Sequence, residues 1–88
     1  MASYRLTVTG IVQGVGFRYF SMKTAIHYGL KGYVKNLSNG TVFIEVEGEE
    51  VIIEQFIEWC KVGPRGATVE DITIEVCPEK NHQSFIIS

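Results

Sequence analysis

The sequence predicts an α+β domain in which two helices cover one face of an antiparallel sheet. Segments with an apolar residue at every second position, typical of half-buried strands, alternate along the chain with segments of helical periodicity. Glycine and proline residues lie at the boundaries between these segments. The length of 88 residues suits one small domain, so we expect a single domain over residues 1–88.

The first strand and first helix flank a glycine-rich loop. Residues 4–9 alternate apolar and polar side chains, which predicts a half-buried strand. A helix is predicted over residues 18–28, with Gly29 as a left-handed cap. Its apolar face is expected to contain Met22, Ala25 and Ile26.

A hairpin follows the first helix. Strands are predicted over residues 31–37 and 41–47, and Asn39-Gly40 between them indicates a tight turn. Glu45 and Glu47 alternate with apolar residues and are expected on the polar side of the third strand. Phe43 falls on that same side, which suggests a cross-strand aromatic or β-branched partner.

The second half of the chain supplies a helix and two strands. The helix is predicted from Glu49 to about Lys61, where Gly63-Pro64 stops it. Residues 67–76 read as a strand whose apolar parity changes, so a bulge is predicted near Glu70-Asp71. Residues 85–87 form a short final strand. This order, βαββαβ with a short final strand, is that of the ferredoxin-like split βαβ sandwich.

The loop at residues 10–18 carries three glycines and ends on Arg18. Glycines allow backbone N–H groups to converge, and a helix start adds free N–H groups and partial positive charge. We therefore predict that the backbone from Gln13 to Arg18 and the Arg18 guanidinium bind an oxyanion, most simply a phosphate. The dinucleotide pattern would need glycine where Tyr19 stands, and the Gly-Lys-Ser/Thr of a P-loop is absent. An ordinary glycine-rich turn remains an alternative.

The composition of the chain argues against a membrane protein, a disulfide-bonded protein and a metalloprotein. No apolar run is long enough for a membrane span, and the absence of an export signal predicts a cytoplasmic protein. Cys60 and Cys77 fit no zinc or redox spacing, so we expect free thiols, with Cys60 buried. His27 and His82 have no cysteine or carboxylate at ligand spacing, and we expect no metal site.

Charge is unevenly distributed along the chain. Residues 1–44 contain five cations and no acid, whereas residues 45–88 contain ten acids and three cations. The basic half contains the predicted oxyanion loop, and its field would attract an anionic substrate. The net charge of −2 and the absence of an aromatic-rich RNA-recognition strand argue against nucleic acid and against a ferredoxin-like RNA-binding module.

Two motifs resemble the signatures of the acylphosphatase family. Residues 8–18 match V-x-G-x-V-Q-G-V-x-F-R, and residues 32–42 look like the second family signature. Looser matches at Gly63-Pro64, residues 67–69 and Phe85 extend the resemblance over nearly the whole chain. Two departures are visible: Tyr33 stands where many relatives carry tryptophan, and the last residues lack a basic side chain.

The resemblance implies hydrolysis of acyl phosphates to a carboxylate and orthophosphate. It implies that Arg18 binds the phosphate, that Asn36 positions the attacking water, and that the phosphate-binding loop consists of Gln13, Gly14, Val15, Gly16, Phe17 and Arg18. We expect no cofactor, a small-molecule acyl phosphate as the partner, and a monomer.

An alternative is a non-catalytic module that binds acyl or carbamoyl phosphate, similar to the first segment of larger carbamoyl-transfer proteins. Taken without the resemblance, Arg18 reads as a solvated charge. Asn36 then reads as a side chain that serves the turn after its strand.

Overall fold

The computed structural model describes residues 1–88 as two helices on one face of a five-stranded sheet. The order of elements confirms the predicted βαββαβ arrangement with a short final strand. The elements are β1 (Ala2–Ile11), α1 (Phe17–His27), β2 (Lys31–Asn36), β3 (Val42–Gly48), α2 (Glu50–Val62), β4 (Thr68–Val76) and β5 (Phe85–Ile87).

The sheet has the strand order β4-β1-β3-β2-β5. Strand β1 pairs with β3 and β4, and β2 pairs with β3, all antiparallel. Strand β5 pairs with β2 in parallel, so the prediction of a wholly antiparallel sheet is wrong for this strand. The cause is the connection: after β4, the chain crosses the whole sheet before it pairs at the opposite edge.

The predicted bulge lies in β4. Thr9 pairs with Asp71, but the next pair joins Gly10 to Val69 and leaves Glu70 without a partner. This extra residue explains the change in apolar parity along β4, and the prediction is confirmed.

Helix α1 has the predicted glycine cap at its C-terminus, but its buried face differs from the predicted one. Gly29 has φ 72°, and the Leu30 N–H donates to the Ala25 carbonyl at 2.9 Å, as in a Schellman cap. The buried residues are Phe17, Ser21 and Ala25, at a spacing of four. Ile26 is 55% exposed, so its predicted place on the core face is wrong.

The core lies between the sheet and the helices. Its fully buried side chains come from β1, β2, β3 and both helices, and include Leu6, Val8, Phe17, Ile44, Ile53 and Phe56. Cys60 joins this core as a free thiol, as predicted, and burial raises its pKa. Neither helix is long and apolar enough to span a membrane.

The β2–β3 connection is longer than the predicted tight turn. Five residues, 37–41, separate the strands, with the Leu37 N–H donating to the Thr41 carbonyl at 2.9 Å. Gly40 occupies a positive-φ position at 92°. The expected partner of Phe43 is Tyr33, whose ring centroid lies 6.1 Å away.

A strap of residues 77–84 covers the sheet face opposite the helices. Glu45 and Glu47, expected on an exposed polar face, are 0% and 4% exposed beneath it. The backbone N–H of His82 donates to Glu47 at 2.9 Å, and its ring lies 2.7 Å from Glu45. The contact between His82 and Glu45 was not predicted from the sequence, because the strap brings together residues far apart in the chain.

Candidate active site

The loop between β1 and α1 contains a run of backbone N–H groups without hydrogen-bond partners in the chain. Gly14 and Gly16 have φ values of 77° and 80°, and Gly16 caps the N-terminus of α1. These left-handed positions turn the backbone so that successive N–H groups can face the same side. The N–H groups of residues 13–18 donate no hydrogen bond to any other group of the chain.

The start of α1 adds to this donor set. The first intrahelical bond runs from the Phe20 N–H to the Gly16 carbonyl at 3.0 Å, so the N–H groups before it are free. The first turn contains no acidic residue that would neutralise the positive end of the helix dipole. Free donors and a dipole of this sign favour an anion.

Gln13 connects the loop to the β2–β3 hairpin. Its Nε2 donates to the carbonyls of Leu37 and Thr41, at 2.8 and 2.9 Å. These bonds bring the end of β2, where Asn36 lies, next to the loop. The Gln13 side chain therefore positions the two parts of the site.

A cleft of about 190 Å³ lies at this junction. It is lined by Val12, Gly14, Gly16, Phe17, Arg18, Tyr19, Asn36 and Ile87. The structure thus brings both predicted functional side chains, Arg18 and Asn36, to one cleft with most of the predicted loop. Gln13 and Val15 belong to the loop without lining the cleft.

Three lining residues were not predicted from the sequence: Val12, Tyr19 and Ile87. Val12 and Tyr19 directly flank the loop, so their proximity in sequence could have indicated them. Ile87 comes from β5, and no sequence signal showed that β5 pairs with β2 beside the cleft.

Asn36 carries the one buried side-chain polar atom without a hydrogen-bond partner. Its Oδ1 is inaccessible and unpaired, although the side chain as a whole is only half-buried and lines the cleft. Buried polar atoms are nearly always hydrogen-bonded, and an exception calls for an explanation.

Arg18 is exposed and forms no ion pair with a side chain. Its Nη1 donates to the backbone oxygen of Ser88 at 3.4 Å, which leaves most of its donors free. Cysteine, histidine and carboxylate side chains do not line the cleft. Besides backbone groups, the polar side chains that line it are the guanidinium of Arg18, the amide of Asn36 and the phenol of Tyr19.

The fold and this cleft define a small α+β protein with a cleft of free backbone N–H donors at a helix N-terminus. The acylphosphatase family model matches residues 4–87. The chain is 42% identical over 88 residues to the acylphosphatase of Archaeoglobus fulgidus, covering 100% of this chain and 99% of that protein. The chain therefore belongs to the acylphosphatase family.

Solved structures agree with this assignment. The crystal structure of acylphosphatase from Bacillus subtilis superposes with a TM-score of 0.97 at 40% identity and covers 100% of this chain and 99% of that one. The structure of HypF from T. kodakarensis superposes with a TM-score of 0.88 at 40% identity. That match covers all of this chain but 12% of HypF.

Proposed function

We propose that this chain hydrolyses acyl phosphates to a carboxylate and orthophosphate through direct attack by a water that Asn36 positions. The observation that carries the proposal is the cleft itself, where free backbone N–H groups, Arg18 and Asn36 lie together. We further propose a cytoplasmic monomer that accepts small acyl phosphates and needs neither a cofactor nor a metal.

The loop and Arg18 bind the phosphoryl group in this mechanism. Phosphoryl transfer depends chiefly on positioning and on stabilising the charge of the equatorial oxygens. The unpaired N–H groups of residues 13–18 are fixed donors that need no reorganisation as this charge shifts. Arg18 adds a full positive charge that no carboxylate side chain neutralises.

Asn36 holds the water in line with the leaving group. A rotation about χ2 exchanges the positions of the amide oxygen and nitrogen, so the unpaired Oδ1 can turn from its buried position to the cleft. There it accepts a hydrogen bond from the water, which fixes the direction of attack.

The leaving group requires no acid from the protein. A carboxylate whose conjugate acid has a pKa of about 4 departs without protonation. This agrees with a cleft whose lining has no histidine, cysteine or carboxylate.

The alternative is a module that binds acyl or carbamoyl phosphate without turnover. The match to 12% of HypF shows that this domain also occurs as a small part of a much longer chain. The match to 99% of the Bacillus subtilis and Archaeoglobus fulgidus acylphosphatases favours the enzyme.

The decisive experiment measures orthophosphate release from benzoyl phosphate, with excess chelator, for the wild type and Asn36→Ala. We expect fast release by the wild type and a large loss of kcat in the variant, with inorganic phosphate binding nearly unchanged. Asn39→Ala is the matched control, because it removes an amide from the same hairpin outside the cleft.

The two proposals give different results. Phosphate binding to folded wild type without any release would support the binding module instead of the enzyme. Full kcat in Asn36→Ala would contradict the water-positioning role while leaving the hydrolysis itself intact.

A further inference from the structure

A second groove lies between α1 and the end of α2 and has no role in the proposed hydrolysis. Its volume is about 510 Å³, within the range of roughly 300–1,000 Å³ that small-molecule sites occupy. No residue lines both this groove and the active-site cleft. The groove is therefore a separate surface with the dimensions of a ligand site.

Aromatic side chains from both helices line the groove. Phe20 comes from α1, Tyr28 caps the C-terminus of that helix, and Trp59 comes from α2. Phe20 is 44% exposed. Trp59 stacks on Phe56 with a centroid separation of 6.2 Å and an interplanar angle of 15°, which holds its ring in place. These rings offer apolar faces on which a flat ligand can stack.

The polar part of the groove is basic. Lys23 and His27 lie four residues apart on the face of α1 that carries Phe20, and Arg65 comes from the loop after α2. None of the three forms an ion pair with a carboxylate, and no carboxylate lines the groove. In contrast, Lys61 nearby is paired with Glu58 at 2.7 Å.

We propose that this groove binds an aromatic anion, specifically a flat ring that carries a phosphate group, as in a nucleoside monophosphate. The ring stacks among Phe20, Tyr28 and Trp59, and the phosphate interacts with Lys23 and Arg65. Stacking and charge are both required, because isolated exposed cations bind an anion only weakly.

Trp59 provides the measurement, since it is the single tryptophan of the chain. AMP is titrated into the Arg18→Ala variant, in which the active-site cation is absent, while Trp59 fluorescence is recorded. We expect saturable quenching by AMP, and affinities for adenosine and inorganic phosphate that are each at least about tenfold weaker.

Variants then test the two parts of the groove. Lys23→Ala/Arg65→Ala should weaken AMP binding roughly tenfold, because the phosphate loses two exposed ion pairs. Lys31→Ala/Lys61→Ala removes the same charge outside the groove and should leave the affinity unchanged. With Arg18 intact, Lys23→Ala/Arg65→Ala should retain wild-type turnover of benzoyl phosphate, which shows that it folds.

Amide chemical-shift mapping with AMP locates the site. We expect shifts around residues 20–28, 59 and 65 in both the wild type and Arg18→Ala. Shifts confined to residues 13–19 and 36, an equal response to inorganic phosphate alone, or no saturable response would each overturn the proposal.

Discussion

The molecule contains two polar regions: in one the hydrogen-bonding groups lack partners within the chain, and in the other they are paired. At the loop and the cleft beside it, the N–H groups of residues 13–18 and the Oδ1 of Asn36 have no partner in the chain. Under the strap, the Glu45 carboxylate contacts Arg5, Lys80 and His82 at 3.2, 3.1 and 2.7 Å. Glu47 accepts bonds from the backbone of Lys80 and His82 and from Ser3.

This difference in hydrogen bonding distinguishes a candidate ligand site, the cleft, from a structural cluster, the residues under the strap. Buried polar groups without partners are costly and persist where something else, such as a ligand, satisfies them. The cluster under the strap leaves little for a ligand to satisfy. It holds down residues 77–84, and these lead into β5, whose Ile87 forms one wall of the cleft. The fully hydrogen-bonded cluster under the strap therefore supports the cleft, whose polar groups lack partners.

The first prediction compares the loss of Arg18 with the loss of Arg5, and we expect the largest effect on kcat/KM here. Arg18→Ala should lower kcat/KM for benzoyl phosphate by roughly a hundredfold or more, since loss of one oxyanion donor has that effect and Arg18 also carries charge. Its unfolding free energy should barely change, because Arg18 is exposed and forms no ion pair with a side chain. Steady-state kinetics and urea unfolding measure the two quantities.

Arg5→Ala should show the opposite pattern. Arg5 is 38% exposed and bonds to buried Glu45, so its loss should lower the free energy of unfolding, by an amount that solvent screening limits. Its kcat/KM should stay within about twofold of the wild type, since it contacts nothing in the cleft. Equal kinetic losses in the two variants would contradict the division into site and structural cluster.

The second prediction concerns pH and Glu45. Burial alone would raise the pKa of this carboxyl, but hydrogen bonds from His82, Lys80 and Arg5 outweigh burial and hold the pKa below its ordinary value of 4.5. A folded-state pKa below the unfolded one means that Glu45 stabilises the fold above about pH 4.5. This contribution is lost as the pH falls through the folded-state pKa.

Glu45→Gln should therefore destabilise the protein by about 2 kcal/mol at pH 7, as expected for lost hydrogen bonds to a charged group. The difference from the wild type should shrink as the pH falls below about 4.5. Urea unfolding at a series of pH values measures it. A difference that stays constant down to pH 3 would show that the carboxylate charge is not what stabilises the strap. Glu58→Gln, which removes an exposed carboxylate, is the control.

The third prediction tests the backbone of the loop. Gly16 has φ 80°, and a Cβ there would lie 3.2 Å from the Phe20 ring. Gly16→Ala should cost about 1–2 kcal/mol of stability through the left-handed conformation. It should also weaken phosphate binding, because the N–H groups are displaced. Gly66→Ala, also at positive φ but with open space around its Cβ, should destabilise similarly and leave phosphate affinity unchanged.

The two regions also differ in how far the sequence predicts them. The cleft is built mainly from residues 12–19, whose glycines and following helix are contiguous, so local pattern indicates the donor loop. The cluster under the strap depends on Glu45 meeting His82, 37 residues away. Alternation along β3 correctly places Glu45 opposite the core, but only the tertiary path of the strap buries it. The same path explains why the short final strand was predicted but its parallel pairing with β2, and with it the lining residue Ile87, was not.

The last prediction concerns Gln13, which joins loop and hairpin, and it should give the smallest effect. Gln13→Met keeps the length of the side chain and removes the donor to the Leu37 and Thr41 carbonyls. Each carbonyl keeps a backbone partner, from Gly40 and Leu37 respectively, so the cost should be about 1 kcal/mol or less. Because the bonds set the distance between the loop and Asn36, we expect kcat to fall severalfold while phosphate affinity changes little. An unchanged kcat would show that packing alone fixes the distance between the loop and Asn36. A kcat loss as large as that of Asn36→Ala would show that Gln13 takes a direct part in the reaction.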